Sequence, residues 1–209
     1  MISKELNFPI IYRNNEVIGY GGNQEWFQDS WQQKAGCGSI SGTNLAAYYA
    51  ANSEQAAEMY QGDVSRFDYA EFLYAMTQMY QYMKPGIFGF PSVTKFAEQF
   101  RKYCRHRNVS VEEVILDKYE SVREANCFVK EHIDAGRPIA LIILTHRAQE
   151  LIEYTWHWVT VTGYTEDEEN NAGLEIVISN YGKRETLPGN VLFELHPKNK
   201  IRMASFKLQ

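Results

Sequence analysis

Cys37 lies in the stretch Gly36-Cys37-Gly38, shortly before an apolar run that predicts a helix around residues 45–50. A cysteine at the start of a helix lies near the first unpaired backbone N–H groups, whose positive dipole favours thiolate over thiol. On its own, the stretch favours a simpler interpretation, because most unpaired cysteines are small buried hydrophobes. The sequence far downstream reverses that preference.

Two β-branched segments, residues 156–164 and 174–182, predict the strands of a hairpin. His157 begins the first strand and Asn180 ends the second, so antiparallel pairing brings both to the same end of the sheet. An amide oxygen there accepts from one imidazole nitrogen while the other nitrogen faces a thiol. This is the geometry that a Cys–His–Asn triad requires.

The three motifs resemble the papain-like cysteine peptidase superfamily, most closely its bacterial branch similar to bacteriocin-leader-processing peptidases. The matching pieces are Gly-Cys-Gly, then His-Trp-Val-Thr-Val-Thr-Gly-Tyr, then Ile-Ser-Asn-Tyr-Gly. The resemblance implies Cys37 as nucleophile, His157 as base and Asn180 as orienting residue. Order and scale also agree with papain, where His and Asn follow the cysteine by roughly 130 to 150 residues.

Two positions depart from the pattern of the close relatives. Ser39 stands where they often have proline, and Asn180 stands where many have aspartate. Asparagine matches the papain-type variant. A protonated His157 held by Asn180 would add to the helix dipole, so we expect a cysteine–imidazolium pair below neutral pH.

Papain-like enzymes also use a glutamine upstream of the cysteine to donate to the oxyanion. Gln32 is a candidate because it is close to Cys37 along the chain. Gln24 follows the flexible Gly21-Gly22 pair and is a candidate if that loop folds back. The sequence does not choose between the two glutamines.

The composition is that of an ordinary globular chain, with 209 residues of which 44% are hydrophobic and 22% charged. One domain of two lobes is expected at this length. The net charge of −5 argues against nucleic acid as a partner, because phosphate binding needs concentrated positive charge. The basic run at residues 101–107 is interpreted as a solvated helix end.

No apolar run is long enough to span a bilayer, and residues 1–7 lack the core of an export signal, so we expect a cytoplasmic protein. Three cysteines do not make a disulfide framework, and Cys104 and Cys127 are interpreted as packed or idle thiols. Neither zinc-site spacing nor a P-loop, dinucleotide fingerprint or metalloprotease helix motif is present. The sequence therefore predicts neither a metal nor a cofactor.

The expected architecture is α+β and papain-like, a single domain over residues 1–209. A helical lobe covers about 1–107, with a hairpin at 10–20, a helix over about 68–83 and another ending near 107. A sheet-rich antiparallel β-lobe covers about 108–209 and includes a helix over 121–136 and a buried strand at 139–144. Cys37 and His157 then face each other across the cleft between the lobes.

Other side chains are weaker candidates. His146 ends an apolar strand and could line the cleft, whereas His106, His132 and His196 are expected at the surface. Strand alternation sends Trp156 and Trp158 to the face opposite His157, which favours a core position for both. The acidic stretch 166–169 is expected to be a solvated hairpin tip.

Three functions are compatible with these residues. The first is hydrolysis of a peptide or amide substrate through a Cys37 acyl-enzyme thioester. The second is acyl or peptidyl transfer, in which an amine or thiol intercepts the same thioester. The third is a non-catalytic binding module on a papain-like fold, which the joint presence of Cys37, His157 and Asn180 disfavours.

Overall fold

The computed structural model describes residues 2–166 and 173–209. The strands in chain order are β1 (Ile2–Glu5), β2 (Ile10–Arg13), β3 (Glu16–Tyr20), β4 (Phe67–Asp68), β5 (Val111–Leu116), β6 (Ile139–Thr145), β7 (His157–Glu166), β8 (Leu174–Asn180), β9 (Lys183–Pro188) and β10 (Lys200–Leu208). The α-helices are α1 (Ser30–Ala35), α2 (Cys37–Asn52), α3 (Tyr69–Tyr82), α4 (Val93–His106), α5 (Val122–Asp134) and α6 (Gly189–Leu192). Short 3-10 helices cover Gln24–Trp26, Glu54–Met59 and Gln149–Tyr154.

The larger sheet has seven strands in the order β5-β10-β6-β7-β8-β9, with β1 paired to β7. All of its pairings are antiparallel. The predicted β7–β8 hairpin is confirmed, with Thr160 opposite Ser179. Residues 139–144 of β6 are buried throughout, as their continuous apolar run predicts. The mixture of this sheet with several helices makes the fold α+β.

The N-terminal strand is a departure from the predicted division of the chain. Residues 2–5 fall within the segment assigned to the helical lobe, yet β1 pairs with β7 of the large sheet. The side chains of β1 are exposed, so hydrophobic periodicity could not reveal the strand. Gly163 permits the contact, because a Cβ there would lie 2.6 Å from the Lys4 carbonyl oxygen.

The smaller sheet contains β3, β2 and β4. Its hairpin turns at Asn14 and Asn15, as predicted, and both residues have left-handed backbones with φ of 51° and 68°. Asparagine tolerates this conformation better than most residues, which suits a two-residue hairpin turn.

Helix α2 is the centre of the molecule. Every residue from Cys37 to Ala50 is buried, so this part of the helix has no solvated face even though it carries serine, threonine and asparagine side chains. Gly42 lets α3 approach, since a Cβ there would lie 2.9 Å from the Met83 methyl carbon. The opposite side of α2 contacts β7, and the helix therefore connects the helices to the sheet.

The helices predicted around α2 are confirmed, and each begins at a polar cap. The side chains of Asp68, Ser92 and Ser121 accept backbone N–H groups at the starts of α3, α4 and α5. The basic run ends α4, as expected. Residues 167–172 of the acidic turn lie outside the described residues. Among the residues that the structure describes, no helix has the length and hydrophobicity of a membrane span.

His132 corrects the expectation of a surface position, because it is 1% exposed on the inner face of α5. Its ring stacks on Phe128, with 4.0 Å between centroids, and Nδ1 lies 2.9 Å from the Phe128 carbonyl oxygen. Nε2 has no hydrogen-bond partner within residues 2–166 and 173–209. Burial, together with the charge of Arg137, lowers the pKa of His132. His106 is exposed as expected, and His196 is half-buried.

We predict that His132 makes the protein less stable in acid. The unfolded chain takes up a proton at this histidine near pH 6.5, whereas the folded chain does so only at lower pH. The free energy of unfolding therefore falls as pH drops below about 6.5, by up to about 1.4 kcal/mol per pH unit, and stops falling below the lowered pKa. Urea titrations between pH 7.5 and 5 should show a shallower loss for His132→Leu. The exposed matched control, His106→Leu, should keep the wild-type slope, and an unchanged slope in His132→Leu would contradict the prediction.

Candidate active site

Cys37 is the first residue of α2 and is 7% exposed. The backbone N–H groups of Trp158, Gly38 and Cys37 itself can donate to its sulfur. Burial outweighs these donors and raises the pKa of the Cys37 thiol. The sequence predicts a lowered pKa from the helix dipole, and the structure corrects that expectation because desolvation is the larger effect.

His157 is the first residue of β7 and is also buried. Its Nε2 lies 2.8 Å from Oδ1 of Asn180, the last residue of β8. An amide oxygen can only accept, so Nε2 carries the proton and Nδ1 is left as the basic nitrogen. The hairpin thus brings together the two side chains that the sequence pairs. Burial lowers the pKa of His157, and the hydrogen bond to Asn180 opposes that effect.

Cys37 and His157 line one narrow cavity between the start of α2 and the start of β7. Burial raises the pKa of the thiol and lowers that of the imidazole, and both directions favour the neutral forms. These directions oppose the ion pair that the sequence predicts. A neutral thiol–imidazole pair becomes reactive by transferring the thiol proton to imidazole.

The two candidate glutamines differ in position. Gln24 is 4% exposed and lines the cavity that contains Cys37 and His157. Its Nε2 donates one hydrogen to the Gln33 carbonyl oxygen at 2.6 Å, which fixes the side chain and leaves a second N–H. Gln32 is half-buried on α1 and is not among the residues of this cavity. The loop after Gly21-Gly22 does fold back toward Cys37.

A buried polar cluster holds α2 against the hairpin. Nδ2 of Asn44 lies 3.2 Å from Thr160 Oγ1 and 3.4 Å from Ser179 Oγ, and Asn44 Oδ1 accepts the Gly22 N–H at 2.8 Å. Ser41 and Thr160 hydroxyls are 3.2 Å apart. Because buried polar groups are costly without partners, these bonds favour one placement of α2 on β7 and β8. Polar residues within an otherwise apolar helix pattern are the sequence signal that corresponds to this cluster.

Asn180 is itself held by Glu185 on β9. Its Nδ2 donates to Glu185 Oε2 at 2.9 Å, and the Tyr154 hydroxyl donates to the same oxygen at 3.0 Å. The carboxylate cannot donate, so it fixes which end of the Asn180 amide faces His157. Its negative charge also raises the pKa of His157 against the effect of burial. No sequence pattern pointed to Glu185.

Tyr181 covers the imidazole. Its ring stacks on that of His157 with 4.8 Å between centroids and 6° between planes. The side chain is partly exposed, so it lies between the His157–Asn180 pair and solvent. Tyr181 belongs to the motif Ile-Ser-Asn-Tyr-Gly, and its position next to Asn180 is the sequence signal for this contact.

The two tryptophans beside His157 have different positions. Trp158 is buried, stacks on Phe96 and donates to the Phe90 carbonyl oxygen at 2.6 Å, which confirms a core position. The same expectation is wrong for Trp156, which is 57% exposed. Its φ of 58° turns the chain before β7 begins, so strand alternation does not apply to it.

The remaining candidate residues lie elsewhere. His146 is buried, but it contacts the backbone of residues 191–192 and is not among the residues of the Cys37 cavity. Cys104 is buried and Cys127 exposed, both as free thiols. Within the described ranges, no group of three His, Cys, Asp or Glu side chains has a metal-binding arrangement.

No protein-family model matches the chain, and no curated protein sequence matches it.

We predict separate effects of the charge and the hydrogen bonds of Glu185. Glu185→Gln keeps an acceptor for Asn180 but removes the negative charge, so the pKa of His157 should fall further. In a plot of the Cys37 modification rate against pH, the acid limb should therefore move to lower pH. Glu185→Ala should show the same shift and also a rate loss of about 10- to 100-fold, because Asn180 is released. Iodoacetamide modification of Cys37, followed by mass spectrometry across pH, measures both. Glu175→Gln on β8 is the control, and an unmoved acid limb in both Glu185 variants would refute the assignment.

Proposed function

We propose that the protein is a cysteine peptidase-like hydrolase with a papain-like fold that cleaves a peptide or amide bond through a Cys37 thioester. The observation that carries the proposal is the 2.8 Å bond from His157 Nε2 to Asn180, which leaves Nδ1 basic beside the thiol cavity. The resemblance of the three motifs and the α+β architecture give further support. Cys37, His157 and Asn180 have the roles that the resemblance implies.

The chemistry begins with proton transfer from the Cys37 thiol to Nδ1 of His157. The sulfur then attacks the substrate carbonyl carbon, and the imidazolium gives its proton to the amine nitrogen as the C–N bond breaks. The acyl group remains on sulfur as a thioester. Water next attacks this thioester and passes a proton to Nδ1. The C–S bond then breaks, the carboxylic acid is released, and the imidazolium returns its proton to the Cys37 thiolate.

The negative oxygen formed in each step needs donors. The backbone N–H of Cys37 at the start of α2 is one, because helix N-termini favour negative charge. The second N–H of Gln24 is the other, since that side chain lines the same cavity. Both donors are held in place before reaction, which is the condition for strong stabilisation of the transition state.

Per-cysteine alkylation tests whether Cys37 is an activated nucleophile. His157 should promote the reaction of Cys37 with iodoacetamide by accepting the thiol proton, so His157→Ala should slow that reaction by about 100-fold or more and leave the rate at the exposed Cys127 unchanged. Asn180→Ala should have a smaller effect, because it loosens the imidazole without removing it. Buried Cys104 serves as the inert control. A Cys37 rate that does not depend on His157 would remove the case for an enzyme.

Peptide cleavage tests the reaction itself. Incubation with a diverse peptide pool should produce new amino and carboxyl termini that are absent with Cys37→Ala, detected by mass spectrometry. Addition of amine acceptors distinguishes hydrolysis from acyl transfer, because a transferase would give amine adducts in place of free acids. Adducts as the main products would replace the hydrolase proposal with the transferase one.

We predict that Gln24 and Gln32 differ in importance. Gln24→Ala should lower turnover by roughly 100-fold while the fold is retained, because one oxyanion donor is lost. Gln32→Ala should keep wild-type turnover, since its side chain is not part of the cavity. Steady-state kinetics on a cleaved peptide, with circular dichroism as the folding control, measure the difference. Equal turnover in the two variants would show that backbone donors suffice.

A further inference from the structure

A second cavity also opens onto Cys37 and is mainly apolar. Its lining includes Trp31, Ile87, Phe88, Phe90 and Trp156, together with Lys34 as a charged residue. Four of these side chains remain unusually exposed for their size, with Trp31 at 44%, Trp156 at 57%, Phe88 at 78% and Ile87 at 88%. A contiguous exposed apolar patch of this kind marks a binding surface.

The backbone conformation at residues 86–89 explains why Ile87 and Phe88 are exposed. They are the two central residues of a tight turn closed by reciprocal hydrogen bonds between Gly86 and Gly89, at 2.9 and 3.0 Å. Gly89 adopts a φ of 70°, which suits glycine. Both side chains at the tip of this turn are largely exposed, and both line the cavity.

Trp156 adds a second side to the cavity. Its left-handed backbone directly precedes His157, and its N–H donates to the Leu144 carbonyl oxygen at 3.3 Å. A non-glycine residue in this conformation is costly, and such strain concentrates at binding and active sites. The indole therefore lines the cavity beside the nucleophile, whereas Trp158 is buried in the core.

We propose that this cavity binds a large apolar or aromatic side chain of the substrate residue next to the bond that Cys37 attacks. The inference rests on the proposed function, because the cavity and the nucleophile share Cys37. Any molecule placed for attack at that sulfur has its neighbouring groups within reach of the cavity. Lys34 in the lining disfavours a basic side chain, so the selected class is apolar or aromatic and not cationic.

Matched alkylating reagents test this preference without a known substrate. Iodoacetamide, N-(2-phenylethyl)iodoacetamide and N-(2-aminoethyl)iodoacetamide carry the same electrophile and differ in the attached group. At Cys37 the phenylethyl reagent should react about tenfold faster than iodoacetamide, when the ratio is normalised to exposed Cys127. The aminoethyl reagent should show no such gain. Phe88→Ser should reduce the gain strongly, whereas Tyr74→Ser, an exposed aromatic outside the lining, should leave it unchanged.

Failure of the inference differs from failure of the proposed function. Suppose that the phenylethyl reagent and iodoacetamide react equally fast at Cys37 after normalisation to Cys127, and that this reactivity still depends on His157. This result would overturn the inference about the cavity and leave the proposed hydrolase function standing. If Cys37 is inert to all three reagents, a binding measurement tests the cavity instead. The unreactive N-(2-phenylethyl)acetamide should shift the indole NMR signals of Trp31 and Trp156 in Cys37→Ala, and the signal of Trp26 serves as the reference. Unmoved Trp31 and Trp156 signals then overturn the inference.

Discussion

The burial of α2 from Cys37 to Ala50 is the constraint on which the structure depends. Buried polar side chains on this helix need partners from neighbouring elements, and Asn44 and Ser41 find them in the hydroxyls of Thr160 and Ser179. The Ser39 hydroxyl, by contrast, has no partner among the described residues. The bonds of Asn44 and Ser41 set the rotation of α2 against β7 and β8. The same helix begins with Cys37, and the same strands carry His157 and Asn180. The packing that holds the core together therefore also sets the position of the thiol relative to the imidazole.

Burial also decides the charge state of the site. It raises the pKa of Cys37 and lowers that of His157, and both shifts favour the neutral thiol and imidazole. Backbone N–H groups around the sulfur and the carboxylate of Glu185 act against these shifts without overcoming them. Under the proposed function, charge would form at this site only as the thiol proton moves to the imidazole. Donors fixed in advance would then stabilise the new charge at little reorganisation cost.

Local patterns predicted most of the elements, because hairpin turns, caps and buried apolar runs act over a few residues. They placed the β7–β8 hairpin and hence the His157–Asn180 contact. They missed β1, whose exposed side chains carry no periodic signal, and Glu185, whose role depends on register with β8. They also misjudged His132, because polarity along α5 does not reveal which face of that helix is buried. Each of these misses depends on the element that the segment packs against or pairs with, which a pattern of a few residues does not contain.

The backbone gives an independent indication of where the molecule departs from simple packing. Trp156 directly precedes His157 and Tyr181 directly follows Asn180, and both have positive φ, 58° and 46°. For a large side chain this conformation costs about 1–3 kcal/mol, and such residues are concentrated at functional sites. In both cases the residue lies just outside the strand, next to His157 at the start of β7 or next to Asn180 at the end of β8. One ring consequently stacks on the imidazole and the other lines the apolar cavity at Cys37. The two residues therefore border the candidate site where β7 begins and where β8 ends.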